Sequence, residues 1–344
     1  MLDKQKILVT GSCGTIGSEL VDYMLVNFPD CKVYCLDNNE SLLFFQEQKY
    51  INEKRVKVFL GDIRDYERLK SVMTGVDIVF HAAALKHVVM CERSPMDAVQ
   101  SNVNGVNNII NAATEAQVKK VIFTSSDKAV NPTNVMGTSK LMGERLVTAA
   151  NTNHHSGNTI FVSTRFGNVL GSNGSVIPIF RNQIKDGGPI TLTDPEMTRF
   201  VMNVEQAVKL VVDSANKACG GEVFITKMPV IRIQDLAEVM IEELSDLYNQ
   251  DPKLIEIKII GAKPGEKLYE ELMSSEETGR AVELDNYFSV LPAFKDLYRE
   301  IKYEYDGFIS SEVTNPYISQ DEPVMSKKEL LIFLKDSKLL SEFD

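Results

Sequence analysis

The stretch Lys6-Ile-Leu-Val-Thr-Gly-Ser-Cys-Gly-Thr-Ile-Gly-Ser-Glu-Leu20 decides the reading of this chain. A short β-rich run ends at Thr10, Gly11, Gly14 and Gly17 follow at GxxGxxG spacing, and a helical pattern opens directly behind them. Missing Cβ atoms allow the tight turn and let a pyrophosphate approach the backbone, where the N–H groups of a helix start favour negative charge. Ser12, Thr15 and Ile16 belong to the same cradle. A second β-rich run ends in Asp37, 20 residues beyond Gly17. An acid there accepts hydrogen bonds from ribose hydroxyls and repels a 2′-phosphate, so the spacing predicts a nicotinamide dinucleotide, NAD or NADP, with NAD favoured by Asp37. Asp62 and Ile63, after the third run, are expected at the adenine edge.

Outward from this stretch, β-rich runs alternate with amphipathic ones, the order that builds βαβ crossovers. Strands are expected at 6–10, 32–36, 56–60, 77–81, 120–124 and 159–164. Between the fourth and fifth, Val99, Val103, Val106, Ile109, Ile110 and Ala113 keep helical spacing. The fold class predicted is α/β, a Rossmann-type doubly wound parallel sheet of six strands with a smaller interleaved α/β substrate lobe. After about residue 165 the rhythm breaks into Gly- and Pro-containing loops. Helices follow at 204–218 and 233–244, with strands at 222–225 and 256–260. Residues 1–170 are expected to form the dinucleotide-binding domain, with later segments returning to it, and 171–292 most of the substrate lobe. Residues 293–344 are expected at the periphery, with helical periodicity over 327–340.

Composition narrows the function. The 344 residues carry 37 Lys+Arg against 48 Asp+Glu, a formal charge of −11 that offers no positive field to a nucleic acid or an anionic membrane. The longest apolar runs fall far short of the roughly 20 residues that span a bilayer, and the N-terminal residues lack a secretory apolar segment. A cytoplasmic protein without membrane insertion is expected. Five scattered cysteines without a CxxC pair, and four histidines, indicate neither a disulfide framework nor a metal site.

The glycine spacing, the strand running into His81-Ala-Ala-Ala, Asn102 and the strand ending in Ser125-Ser126 resemble the extended short-chain dehydrogenase/reductases. More narrowly, five ordered blocks are similar to the inverting UDP-N-acetylglucosamine 4,6-dehydratases of polysaccharide biosynthesis. They are His81-Ala-Ala-Ala-Leu-Lys-His87, Ser126-Asp-Lys-Ala-Val-Asn-Pro-Thr-Asn-Val-Met-Gly-Thr-Ser-Lys140, Thr164-Arg-Phe-Gly-Asn168, Thr193-Asp-Pro-Glu-Met-Thr-Arg199 and Lys263-Pro-Gly-Glu-Lys267. The resemblance implies removal of water from a UDP-N-acetylhexosamine, giving a 4-keto-6-deoxy sugar inverted at C5. It places Ala82, Ala83, Ala84 and Asn102 beside the dinucleotide. The family signature YxxxK would put tyrosine at 136, where this chain has Met136. A thioether has no proton to exchange, so the C4 hydroxyl proton must go elsewhere.

Dehydration needs hydride removal from C4, loss of the C5 proton with the C6 hydroxyl, and hydride return to C6. By resemblance, Asp127 protonates the departing hydroxyl as a carboxylic acid of raised pKa, and Lys128 takes the C5 proton as a neutral amine. Lys140, four residues after Met136 on one helical face, is expected by the same resemblance to hold the nicotinamide ribose. The C4 proton acceptor is expected in the Asp127/Lys128 pair, with Ser125 or Ser126 as a possible relay. On the substrate side, Arg199 and Lys263 are cations suited to phosphates, Arg199 through a bidentate fork. Glu266 is expected at the uridine ribose, Asn168 between substrate and the sixth strand, and Lys86 at the sugar pocket. His81 and His87 are read as packing or hydrogen-bonded residues. Two other readings carry weight at this level: a UDP-sugar epimerase acting at C4 or C5, and a catalytically silent dinucleotide-binding regulator. A homo-oligomer is expected by analogy alone.

Overall fold

The computed structural model describes residues 2–152, 157–172, 175–261, 265–294 and 301–341. The chain divides into two units. The first comprises 1–166, 207–227 and 273–316; the second comprises 167–206, 228–272 and 317–344. Residues 1–166 thus share their unit with two later segments, and residues 167–170 lie in the second unit.

The first unit is organised by one ten-stranded sheet. Its strands are β1 (Lys6–Thr10), β2 (Lys32–Asp37), β3 (Val56–Leu60), β4 (Ile78–His81), β5 (Lys120–Thr124), β6 (Ile160–Arg165), β7 (Val223–Thr226), β8 (Ala281–Leu284), β9 (Tyr287–Val290) and β10 (Phe308–Ser310). The spatial order is β10-β8-β9-β7-β6-β5-β4-β1-β2-β3. From β3 to β7 every pair is parallel. The predicted six-stranded sheet is thus extended by a seventh parallel strand and then by antiparallel β9, β8 and β10. Parallel strands buried on both faces read as continuous apolar runs, and β1, β4 and β5 do so: Leu8, Phe80 and Phe123 are each at most 1% exposed. Strand order reverses between β1 and β4, which opens a crevice beyond their carboxyl ends.

The helix predicted across 99–113 is interrupted. Two α-helices, Pro95–Val99 and Gly105–Glu115, flank a π-turn at Gln100–Asn104. Asn102 is the buried residue of that turn. Gly105 then lets the following helix settle on Ile63, whose Cδ1 would lie 2.7 Å from a Cβ at that position.

In the second unit, Thr198–Met202 pairs antiparallel with Val230–Arg232 and parallel with Asn168–Val169. Ile190–Leu192 pairs with Ile257–Ile259. Helices Val176–Lys185, Ile233–Leu244 and Lys327–Asp336 supply its apolar core. The last of these corrects the expectation of a peripheral C-terminus, because Leu330 and Leu334 are both 0% exposed. Leucines one turn apart form an apolar stripe that this core buries, and β10 likewise joins the main sheet. No helix among the described residues is long and apolar enough to cross a membrane.

Candidate active site

The glycine cradle is built at the reversal between β1 and β4. Gly11 has φ +69°, a conformation open to glycine, and a Cβ there would stand 2.7 Å from Cα and N of Ala83. A Cβ on Gly17 would meet the Gly11 carbonyl oxygen at 2.0 Å, and one on Gly14 would meet it at 3.3 Å. The loop is therefore closed against Ala82 and Ala83, with Ala82 N–H donating to the Thr10 carbonyl at 3.1 Å. Gly14 caps the helix Thr15–Asn27 without a side-chain cap. The N–H groups of Thr15, Ile16 and Gly17 are those that helix geometry leaves without an intrahelical acceptor. Such a cradle fits a pyrophosphate.

Several neighbours differ from expectation in how they serve it. Ser12 is fully buried and its hydroxyl donates to Gln46 Oε1 at 2.8 Å, while Gln46 Nε2 returns a bond to the Ser12 carbonyl. Its side chain braces the loop. Asp37 ends β2 as predicted, accepting from Cys13 N–H and Asn39 N–H at 3.0 Å each. Asp62 is clamped by Arg64 through Nε and Nη2 and also accepts from Asn38 Nδ2, and the Arg64 bonds hold its carboxyl down at about 2. Ile63 is 7% exposed and packs in the core, so only its backbone is left for an adenine edge. Asn102, placed by resemblance beside the dinucleotide, is 1% exposed. Its amide brackets Leu85, accepting from the N–H and donating to the carbonyl at 2.9 Å each, and it donates to Ser139 as well. It acts on the Ala82–Ala84 segment by holding the chain that follows. Lys86 stands exposed beyond that segment, its ammonium pushed below the ordinary range by partial burial.

Beyond β5 the chain makes a 3₁₀ turn, Asp127–Ala129, with Ser126 as its N-cap. Here the predicted acid and base meet. Lys128 Nζ lies 2.9 Å from Asp127 Oδ2 and 3.1 Å from Oδ1, and Ser126 Oγ donates to Oδ1 at 2.6 Å. Asp127 is 4% exposed and Lys128 33%, so the carboxylate is enclosed and the amine reaches outward. Asp127 N–H is tied to the Phe166 carbonyl at the end of β6. The helix Val135–Ala149 crosses so close that a Cβ on Gly137 would lie 2.1 Å from the Lys128 carbonyl oxygen.

On that helix, Met136 is 4% exposed and packs with Cys91 and Ala98. It fills an apolar pocket. Lys140 is 5% exposed, donates to the Thr124 carbonyl at 3.0 Å and stands 4.8 Å over the Phe123 ring. Burial pushes its ammonium down to about 8, with the Glu144 carboxylate working against that. His81 pairs Nδ1 with Thr10 Oγ1 at 2.7 Å, and burial followed by the Lys140 charge drives it down to about 3. It is a neutral, hydrogen-bonded core residue, as read from the sequence.

Sequence reasoning missed the ion network behind this site. Arg165 is 1% exposed and forks onto Glu144 and Glu277 at 2.7–3.0 Å. Although burial raises it, the Glu277 carboxyl is held at about 2 by Arg165. Glu144 follows Lys140 by one helical turn, a spacing that could have drawn attention to it. The partners Arg165 and Glu277 are 21 and 112 residues away from Glu144 and Arg165 respectively, and no local pattern announces them.

The second unit gathers Asn168, Arg199 and Glu266 around an acid that was not anticipated, Glu270. Asn168 Nδ2 lies 2.8 Å from both Glu270 oxygens, and Arg199 Nε lies 3.2 Å from Oε1. Arg199 Nη1 donates to the carbonyls of Thr198 and Leu268, Nη2 donates to that of Lys267, and Glu266 stands 4.0 Å away. The open bidentate fork expected for phosphate is therefore already committed to backbone. Glu266 is 32% exposed and accepts from Thr193 Oγ1 at 3.3 Å. Lys263 lies outside the described residues.

Residues 7–292 match the family described as polysaccharide biosynthesis protein. The chain is 47% identical over 334 residues to an uncharacterized membrane protein of Methanocaldococcus jannaschii, covering 97% of this chain and 96% of that one. It is 37% identical over 343 residues to the inverting UDP-N-acetylglucosamine 4,6-dehydratase of Campylobacter jejuni, covering 96% and 97%. Identity is also 37%, over 337 residues, to the UDP-glucose 4-epimerase of Rickettsia bellii, covering 96% and 95%. Among solved structures, Pen from Bacillus thuringiensis shares 41% identity with a TM-score of 0.89 over 99% of this chain and 100% of that one. A dTDP-glucose 4,6-dehydratase from Streptomyces venezuelae, solved with NAD, shares the fold with a TM-score of 0.67 at 23% identity over 76% and 86%.

Proposed function

Because this chain belongs to the polysaccharide biosynthesis protein family, we propose that it is a nicotinamide-dinucleotide-dependent, C5-inverting UDP-N-acetylglucosamine 4,6-dehydratase. The observation that carries the reading is the Ser126–Asp127–Lys128 constellation, an enclosed carboxylate within 2.9 Å of an outward-reaching amine. The C. jejuni relative supports it by name, and the glycine cradle supplies the dinucleotide seat. NAD is favoured over NADP because Asp37 ends β2 and the nearby Arg64 is already bound to Asp62.

The bound nicotinamide would supply hydride acceptance from C4 and return to C6. The chain's own residues handle the protons, and their count closes. The proton leaving the C4 hydroxyl is the one the departing C6 hydroxyl needs to become water. Ser126, hydrogen-bonded to Asp127, relays it inward, so Asp127 takes it and later delivers it to O6. Lys128 takes the C5 proton as a neutral amine and releases it to solvent, and C5 receives a solvent-derived proton on its opposite face as the hydride returns to C6, which leaves the sugar inverted there. Neither Met136 nor Lys140 is needed as the acid/base, the first lacking a proton and the second held on the Thr124 carbonyl.

A 4-epimerisation of a UDP-sugar is the second reading, favoured by the name of the Rickettsia bellii relative. Incubation with UDP-N-acetylglucosamine in heavy water separates the two. Dehydration gives deuterium at C5 and loss of the C6 oxygen; epimerisation keeps the C6 oxygen; a silent regulator gives neither change. A homo-oligomer belongs to the same proposal, supported by exposed Met90, Met96 and Met142 on neighbouring helices of the first unit.

A further inference from the structure

Glu270 is 5% exposed and its carboxylate accepts from the Asn168 amide and from Phe200 N–H at 3.2 Å, with Arg199 Nε also at 3.2 Å. A carboxylate only accepts, so the atom of Asn168 that faces it must be the nitrogen. The remaining Nδ2 proton goes to the Phe200 carbonyl at 3.2 Å. Both amide protons are then spent inside the protein. Oδ1 is left on a half-buried side chain with no hydrogen-bond partner among the described residues, since every side-chain bond of Asn168 runs from Nδ2.

We propose that Glu270 is a specificity-determining positioning residue, which fixes Asn168 so that it offers an acceptor, and that Asn168 reads an O–H or N–H donor of the nucleotide sugar, not a phosphate oxygen. The inference rests on the nucleotide-sugar reading above and refines it. Arg199 fits the same logic. Three of its five N–H groups donate to backbone carbonyls and the others face Glu270 and Glu266, so among the described residues the Arg199 guanidinium is shared between two acids and three carbonyls. A phosphate gains little from a guanidinium so committed, whereas a hydroxyl or an acetamido N–H is matched to the unpartnered amide oxygen of Asn168.

The test is a polarity swap read by calorimetric affinity for UDP and for UDP-N-acetylglucosamine, with thermal unfolding as a second readout. Glu270→Gln removes the constraint and lets the Asn168 amide turn over, which weakens binding by about three- to tenfold, the worth of one neutral hydrogen bond. Asn168→Asp sets two carboxylates face to face and lowers the unfolding temperature. The double variant restores a donor–acceptor contact of reversed sense while still presenting an oxygen outward, so it recovers both stability and UDP-N-acetylglucosamine affinity relative to Asn168→Asp. Weakening seen with UDP alone assigns the donor to the ribose; weakening confined to the sugar nucleotide assigns it to the hexose. If the double variant binds worse than either single one, Asn168 faces an anion and the proposal is wrong. If the parent protein binds neither ligand, the nucleotide-sugar reading falls, while stability rescue in the double variant still reports the sense of the Asn168–Glu270 bond.

Discussion

Gly137→Ala tests whether the helix Val135–Ala149 and the Asp127–Lys128 turn depend on contact between backbones. In an unobstructed helix interior, replacing glycine by alanine stabilises a protein by about 1 kcal/mol. At position 137 the added methyl would lie 2.1 Å from the Lys128 carbonyl oxygen and 3.1 Å from Pro132 Cβ. Ordinary contact requires the helix and turn to separate by about 1 Å, and overpacking of this kind costs about 1–3 kcal/mol. Part of that separation falls on Lys128 itself, whose Nζ–Oδ2 distance is 2.9 Å. A shift of about 1 Å in a reacting group lowers turnover by about 100-fold. The expected variant is less stable than its parent, by about 1–2 kcal/mol in urea unfolding. It still binds dinucleotide, because the Gly11–Gly17 cradle is elsewhere, and its turnover of UDP-N-acetylglucosamine, followed by NMR, drops by about two orders of magnitude. A variant that gains stability and keeps its turnover would refute the reasoning from close approach.

Three other outcomes are expected. Lys128→Ala abolishes solvent exchange at C5 while dinucleotide binding, measured by fluorescence titration, survives; unaltered exchange removes Lys128 from the role of base. Met136→Tyr places a larger ring and an unpartnered hydroxyl among Cys91 and Ala98, so it lowers stability by about 1–3 kcal/mol without raising turnover; a gain in activity would show the pocket opens to substrate. His81 has a folded-state value of about 3 against 6.5 in the unfolded chain. The unfolded state therefore binds the extra proton, and His81 costs stability progressively as pH falls from 6.5 towards 3. Urea midpoints across that range should flatten in His81→Gln, and an unchanged slope would place the acid sensitivity in other groups.

The readable part of the site is the part encoded over a few residues. Gly11, Gly14 and Gly17 are required by contacts within their own loop and with Ala83, and their spacing announced that loop before any coordinates. Asp127 and Lys128 are sequence neighbours, so their meeting needed only a turn. By contrast, Ser12 finds Gln46 34 residues away, and Asn168 finds Glu270 102 residues away. Such partners follow from the path of the chain, and a residue's type says only that a donor or acceptor will be wanted.

What the chain determined by itself is the alternation of apolar runs and amphipathic segments. β1, β3 and β5 begin and end where the periodicity says, because strand and helix repeats are local properties of side-chain placement. Tertiary structure alone decided that β8, β9 and β10 turn back antiparallel along the sheet, that Leu330 and Leu334 enter a core, and that the side-chain N–H groups of Asn102, Arg199 and Asn168 are used inside the protein. Those choices depend on which buried polar groups must be satisfied once distant segments meet, a condition that no window of sequence contains.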